Sequence, residues 1–322
     1  MSRETVSNRQ FFAMTTAAMV GPLTVVSAQI SWLTALICGI LAGLYIIIVK
    51  NLPSLGGIVA SLQVGRSWVY GGYLLTTGLL TAYAASMALR AFPQAGLFPW
   101  LPLSMLAICG WIGGTGGAAV GRFAGILACF VLPALGVVLA FGAMEVSIAY
   151  LRPTLYMGDG AGVLAVSLLP AAGLWLRREG RSAGVGWTAT AVALTVAISA
   201  VTVGTLGAGL AGAVDEPFYM MTKSISLFGV MERFEGLVAA LLLLSFGCLV
   251  AYLSAIGGEI WRAWVPTVEK KLAPLPNMTV AVACIWLLHR LPDWLPGVLM
   301  AVFWVVLPPI LWFAGKKGGY AN

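Results

Sequence analysis

The chain is divided into long apolar runs that contain no Asp, Glu, Lys or Arg. The longest of these uncharged runs cover residues 11–49, 91–121 and 182–214. A helix needs about 20 apolar residues to cross the hydrocarbon core of a bilayer. Because backbone groups find no water partners there, each run should be helical. We therefore expect an all-α polytopic membrane protein whose function operates across or within a bilayer.

The composition supports one integral membrane domain over residues 1–322. Hydrophobic residues make up 60% of the chain and charged residues 9%, against about 25% charged in soluble domains. No nucleophile–base pair, phosphate loop, dinucleotide motif or Cys/His metal spacing is present in the sequence. We therefore expect no enzyme activity and no cofactor or metal. The basic residues form no soluble basic face, so we expect no nucleic-acid partner.

Run lengths and turn residues predict ten transmembrane spans. The expected spans are 11–28, 32–49, 68–89, 101–116, 122–142, 161–176, 187–210, 234–257, 272–289 and 295–314. With both termini placed in the cytoplasm, the cytoplasmic loops carry most of the 18 lysines and arginines. This asymmetry fits the positive-inside rule. The first run follows Arg3 and Arg9 and leads straight into a second run, so we expect no cleavable signal peptide.

Two of the expected spans carry a proline and a glycine in their interior. Span one contains Gly21-Pro22, and span six contains the segment 170–173, Pro-Ala-Ala-Gly. Proline removes a backbone donor and clashes with the preceding turn. Interrupted spans at matching places in two halves are typical of inverted-repeat transporters, whose sites lie at the interruptions. We expect inverted repeats over about 11–142 and 161–314, with spans one and six broken.

Short motifs along residues 7–258 resemble the B subunits of spore germinant receptors, the spore permeases of the amino acid–polyamine–organocation transporter superfamily. The motifs, in chain order, are Ser7-Asn8-Arg9-Gln10-Phe11-Phe12, Gly21, Leu52-Pro53-Ser54-Leu55, Gly65-Arg66, Gly71, Leu89-Arg90-Ala91-Phe92, Gly121-Arg122, Pro133, Leu151-Arg152-Pro153, the block 217–226 and Glu232-Arg233-Phe234-Glu235. Their order and spacing carry the resemblance, since no single motif is specific. Beyond residue 258 the chain matches this family in hydropathy alone.

The resemblance implies a leucine-transporter-like fold and a germinant-sensing subunit in the spore inner membrane of an endospore-forming bacterium. The implied partners are the germinant receptor A and C subunits and a small germinant, an amino acid or a sugar. Both termini would face the spore core. Two positions depart from the family pattern. Leu174 follows Gly173 where an acidic residue is common, and Lys223 replaces the more usual arginine.

The expected ligand site combines the two interruptions with one aromatic side chain. Freed backbone N–H groups at a half-helix start would suit a carboxylate. We expect the ligand-binding residues to be Gly21, Pro22, Leu23, Thr24, Tyr83, Pro170, Ala171 and Gly173. We expect Lys223, Glu232, Arg233 and Glu235 to form an outer gate or a subunit contact, while a solvated helix start explains the acidic members equally well. A short amphipathic helix is expected over 217–228.

Two other functional classes remain open on the sequence. One is a secondary amino acid transporter coupled to H⁺ or Na⁺. The other is a membrane scaffold subunit that binds no ligand, a reading favoured by the missing carboxylate after Gly173. Uptake of labelled solute into proteoliposomes separates a transporter from a sensor, and saturable binding separates a sensor from a scaffold.

Overall fold

The structure is a computed structural model, and its described residues form helices joined by turns, with no strand among them. The described residues are 6–49, 55–60, 62, 65–90, 100–114, 116–152, 160–173, 186–214, 216–225, 234–269, 272–288, 290 and 295–317. Within these described ranges, six helices are long and apolar enough to cross a membrane. The chain is therefore a helical integral membrane protein, as the uncharged runs predict.

The first half of the chain contributes helices α1 to α7. Their bounds are α1 Asn8–Val26, α2 Trp32–Val49, α3 Leu55–Ala60, α4 Arg66–Arg90, α5 Leu101–Met105, α6 Trp111–Gly114 and α7 Gly117–Met144. A π-helical segment, Leu106–Gly110, joins α5 to α6. A 3₁₀ turn, Ser27–Gln29, follows α1.

The second half contributes helices α8 to α16. Their bounds are α8 Gly160–Ser167, α9 Leu169–Ala172, α10 Gly186–Leu206, α11 Ala208–Ala213, α12 Pro217–Ser224, α13 Phe234–Trp264, α14 Leu275–Leu288, α15 Leu295–Met300 and α16 Leu307–Lys317. A second π-helical segment, Ala301–Val306, joins α15 to α16. Every expected span contains helix, although α8 and α9 together are much shorter than a bilayer requires.

Local sequence signals set several helix ends. Ser7 caps α1: its hydroxyl accepts from the backbone N–H of Gln10, and the Gln10 side chain accepts from the backbone N–H of Ser7. This reciprocal capping box satisfies donors that have no partner within the helix. Gly116 precedes α7 with a φ of 135°, a backbone conformation that glycine adopts without steric cost. Ser7 and Gln10 belong to the first motif of the family resemblance. In this fold they have a local structural role, because they cap α1.

Helices α4 and α13 form the centre of the bundle, packed along one another. Helix α13 also lies against α1, α6 and α7, and α14 lies against α4. Helix α10 packs along α2 and also meets α1, while α8 meets α1 and α2. The short helices α8 and α9 are therefore enclosed by longer helices instead of facing lipid alone.

The predicted interruption of span one is wrong. Helix α1 continues through Gly21 and Pro22 and ends at Val26. The interruption of span six is present: α8 ends at Ser167, Leu168 forms a turn, and α9 covers Leu169–Ala172. The short helix expected over 217–228 is present as Pro217–Ser224, and residues 226–228 lie outside the described part of the chain.

Candidate functional site

Helix α1 crosses α13 in close contact at Gly21. A Cβ atom added at Gly21 would lie 3.0 Å from Cδ2 of Phe246 and 3.2 Å from Oγ of Ser245. Both of those residues are fully buried in α13. Glycine at position 21 therefore serves close helix packing, where the sequence predicted close approach to a ligand.

The hydroxyl of Ser245 inserts into the backbone hydrogen bonding of α1. Its Oγ accepts from the backbone N–H of Gly21 at 2.7 Å and donates to the carbonyl oxygen of Ala17 at 2.5 Å. In a regular α-helix, the N–H of residue 21 pairs with the carbonyl of residue 17. The hydroxyl of Ser245 thus bridges the Gly21 N–H and the Ala17 carbonyl, as in other helices into which a neighbouring side chain inserts. The polar groups expected to bind ligand at Gly21 are satisfied by α13.

Two hydroxyl groups near the end of α1, one of them on the predicted site residue Thr24, bond to the backbone of α1 itself. Thr24 donates through Oγ1 to the carbonyl oxygen of Gly21 at 2.7 Å. Ser27 donates through Oγ to the carbonyl oxygen of Leu23. Gly21, Pro22, Leu23 and Thr24 are all buried. This face of α1 is consequently a packed helix–helix contact in the structure.

The α8–α9 interruption, residues 167–173, is the second irregular region. Pro170 is the second residue of α9, where its missing N–H is harmless because first-turn N–H groups have no helical partner. Pro170, Ala171 and Gly173 are buried. Ser167, at the end of α8, is 2% exposed, and its Oγ has no hydrogen-bond partner among the described residues.

Two aromatic side chains hold the α8–α9 interruption against α1 and α13. The hydroxyl of Tyr252 donates to the carbonyl oxygen of Leu169 at 3.2 Å. A Cβ atom on Gly173 would lie 2.2 Å from Cζ of Phe11 and 2.8 Å from the Tyr252 hydroxyl oxygen. Gly173 therefore packs at the first turn of α1. Gly21 lies about 15 Å further along that helix, at 1.5 Å per residue, so the predicted halves of the site are separated.

The other predicted site residues are spread over the molecule. Tyr83 lies half-buried on α4. Lys223 is exposed on α12, with Nζ 5.1 Å from the centre of the Tyr219 ring. Glu232 and Arg233 lie outside the described residues, as does the side chain of Glu235. Of the four residues predicted to form an outer gate or a subunit contact, Lys223 is the one whose side chain lies in the described part of the chain.

Three residues important to this geometry were missed from the sequence: Ser245, Tyr252 and Ser167. Each is a hydroxyl-bearing residue inside an apolar run. Hydroxyl groups in membrane helices often bond to neighbouring helices, so a search for lone hydroxyls near span centres would have found them. The partners of Tyr252 and Ser245 lie 83 and 228 positions away in the chain, and sequence alone does not give such pairings.

The chemistry that these described residues offer is that of hydroxyl groups and backbone atoms. Apart from Tyr, Cys and Trp, the buried side chains with polar atoms among the described residues are those of Thr, Ser and Asn. No cluster of three His, Cys, Asp or Glu side chains that could hold a metal occurs in the described part of the chain. Comparison with protein-family models and with curated proteins found no match to this chain.

Proposed function

We propose that this chain is the ligand-binding membrane subunit of a spore germination receptor, acting with receptor A and C subunits in the spore inner membrane. The motif resemblance supports the receptor class. The observation that carries the binding site is the buried Ser167 hydroxyl, which has no hydrogen-bond partner among the described residues, at the α8–α9 interruption. Irregular backbone at membrane depth occurs where it is buried in protein or lines a cavity, and the residues of this interruption are buried. Ligand binding would shift a conformational equilibrium that the partner subunits detect.

The helix contacts support two inverted five-helix repeats. An exchange of spans 1–5 with spans 6–10 maps the contact of α1 with α10 onto that of α8 with α2, and both occur. It likewise maps the contact of α4 with α14 onto that of α13 with α6, and the contact of α4 with α5 onto that of α13 with α14. Each of these pairs of contacts is present. We infer a leucine-transporter-like arrangement with α1 and α8–α9 at the repeat interface.

The buried groups favour an uncharged ligand over an amino acid. A carboxylate would need freed N–H groups at a half-helix start, whereas Gly21 already donates its N–H to Ser245. The hydroxyl of Ser167 suits a hydroxyl or carbonyl group on a neutral molecule. We therefore propose a sugar-like germinant, and an amino acid is the less favoured ligand.

Direct binding tests this proposal. Purified protein in nanodiscs is titrated with radiolabelled D-glucose, as the neutral probe, and with L-alanine, as the zwitterionic probe. We expect saturable binding of the neutral probe and weaker or undetectable binding of L-alanine. Tighter binding of L-alanine would contradict the ligand class, and no saturable binding of either probe would favour the scaffold reading.

Ser167→Ala locates the site. Because the Ser167 hydroxyl has no hydrogen-bond partner among the described residues, its removal should not lower the thermal unfolding temperature. If the hydroxyl contacts ligand, affinity should fall about tenfold, as for the loss of one hydrogen bond of roughly 1.4 kcal/mol. Thr202→Val is the matched control, since Thr202 Oγ1 is likewise buried and lacks a described partner but lies on α10. Equal affinities for the two variants would place the site elsewhere.

A secondary transporter is the second candidate, because an inverted-repeat arrangement also serves alternating access. Proteoliposomes loaded with buffer are given the same labelled probes. Time-dependent accumulation that a pH or Na⁺ gradient drives would replace the receptor proposal with a coupled transporter. Binding without accumulation supports the receptor.

A further inference from the structure

Two buried polar atoms without a described partner lie where α13 meets α14. They are Oγ of Ser254 and Oδ1 of Asn277, and both residues are 0% exposed. Neither residue belongs to the α8–α9 interruption or to the proposed ligand site. Buried polar groups in native structures are nearly always paired with protein or ordered water, so two such atoms in one junction indicate a third group between them.

The orientation of the Asn277 amide is fixed by a chain of hydrogen bonds. The hydroxyl of Thr81 donates to the carbonyl oxygen of Thr77 at 2.7 Å, so its oxygen is left as an acceptor. Nδ2 of Asn277 donates to that oxygen at 3.3 Å. Because the amide nitrogen must face Thr81, Oδ1 must face away from α4 and cannot exchange places with the nitrogen.

Glycines bring the two groups onto one face of α13. A Cβ atom on Gly257 would lie 2.6 Å from Oδ1 of Asn277, so the amide rests directly on the α13 backbone. Ser254 lies three residues earlier, on the same helix face. The Asn277 oxygen and the Ser254 hydroxyl therefore border the same junction.

Gly110, the last residue of the first π-helical segment, borders the Ser254 side of this junction. A Cβ atom there would lie 3.4 Å from Oγ of Ser254 and 3.4 Å from Cγ of Met278, both ordinary contact distances. An oxygen atom near this position would be within reach of the Ser254 hydroxyl. A water needs about one probe sphere of room and two to four polar partners.

We propose that this junction binds one internal water molecule, which donates a hydrogen bond to Oδ1 of Asn277 and shares a second with Oγ of Ser254. The water links α13 and α14 beside the π-helical segment Leu106–Gly110. Gly110 presents no side chain to the Ser254 side of the junction. Asn277 and Ser254 are both satisfied when the water is bound.

An experimental map of the complete protein at a resolution that shows ordered water is the first test. We expect a density peak within hydrogen-bond distance of both Ser254 Oγ and Asn277 Oδ1. An empty junction, a direct hydrogen bond between the two side chains, or a monovalent cation with more oxygen neighbours would each overturn the proposal.

Thermal unfolding in micelles is the second test, with Gly110→Ala and Gly125→Ala compared. An added methyl group at position 110 should displace the water and lower Tm by about 2–4 °C, whereas Gly125 faces open space in α7 and should keep or raise its Tm. Ser254→Ala should lower Tm in the native background but not in Gly110→Ala, because the water is already lost there. Equal shifts for the two glycine variants, or additive shifts for Ser254→Ala, would overturn the proposal.

Discussion

Helices α1 and α8–α9 both contain a proline beside small residues, but only the second is interrupted there. Pro22 lies inside a continuous helix, whereas Pro170 follows a turn that separates two short helices. The difference lies in what the neighbouring helix supplies. Helix α13 places Ser245 into the opening at Gly21, while at the α8–α9 interruption Tyr252 binds the Leu169 carbonyl after the helix has already ended.

Proline therefore weakens a membrane helix, and the packing partner decides whether the helix ends. Membrane helices tolerate proline when side chains of neighbouring helices satisfy the backbone groups that it leaves. The carbonyl that loses its donor at Pro22 is that of Ala18, and beside it Ser245 of α13 bonds the neighbouring groups, the Gly21 N–H and the Ala17 carbonyl. The α8–α9 interruption leaves the Ser167 hydroxyl with no described partner, which is why we place the proposed ligand site there.

The largest expected difference between the two regions is steric. Gly173→Ala would place its Cβ 2.2 Å from the Phe11 ring, and Gly21→Ala would place it 3.0 Å from the Phe246 ring. We expect Gly173→Ala to destabilise the protein by about 1–3 kcal/mol through overpacking. Gly21→Ala should cost less, because alanine regains up to about 1 kcal/mol of helix propensity. Chemical unfolding in mixed micelles measures both, and a larger loss for Gly21→Ala would reverse the comparison.

Tyr252→Phe tests whether the α8–α9 interruption is held by its hydrogen bond. Loss of the donor to Leu169 should cost about 0.6–1.7 kcal/mol, the range for side-chain hydrogen bonds between membrane helices. Ligand affinity should fall as well, because the interruption loses its anchor. Tyr45→Phe is a matched control: Tyr45 donates to the carbonyl oxygen of Val305 at 2.6 Å, outside both regions. Its stability loss should be similar, without a change in affinity.

Ser245→Ala should have a smaller effect, because α1 can close behind it. The Gly21 N–H and the Ala17 carbonyl can pair directly once the hydroxyl is gone, so we expect a cost of about 0.5 kcal/mol or less, below the usual penalty for an unpaired buried group. Ser199→Ala is the control, since Ser199 donates at 2.6 Å to the carbonyl of Ile30, which lies in the connection between α1 and α2. A greater cost for Ser245→Ala would mean that α1 depends on Ser245 to stay helical.

The sequence predicted helix positions better than it predicted the site. The bounds expected for the second span agree with α2, Trp32–Val49, because the uncharged run 11–49 is long enough for two helices and the segment 28–31 marks the division between them. The interruption predicted at Gly21-Pro22 was wrong because the local sequence carries no information about Ser245, the packing partner from the other half of the chain. The separation of Gly21 from Gly173 follows from the contact of Phe11 with Gly173, which only tertiary packing determines.

The smallest expected effect is that of pH on ligand binding. The buried polar side chains of α1, α8–α9 and α13 in the described part of the chain are hydroxyl groups and the thiol of Cys248, which donates to the Met14 carbonyl. Hydroxyl groups do not titrate near neutrality, and a thiol ordinarily has a pKa of about 8.5. A charge at the bilayer centre costs at least roughly 2.5–3.5 kcal/mol, so a proton-coupled carrier would need a paired ionisable group there. With a neutral probe, we expect affinity to change by less than a factor of two between about pH 5.5 and 8. A tenfold change in affinity, equivalent to about 1.4 kcal/mol, would reveal a titrating group at the site. That result would favour a proton-coupled transporter over a receptor, with one of the two regions acting as its gate.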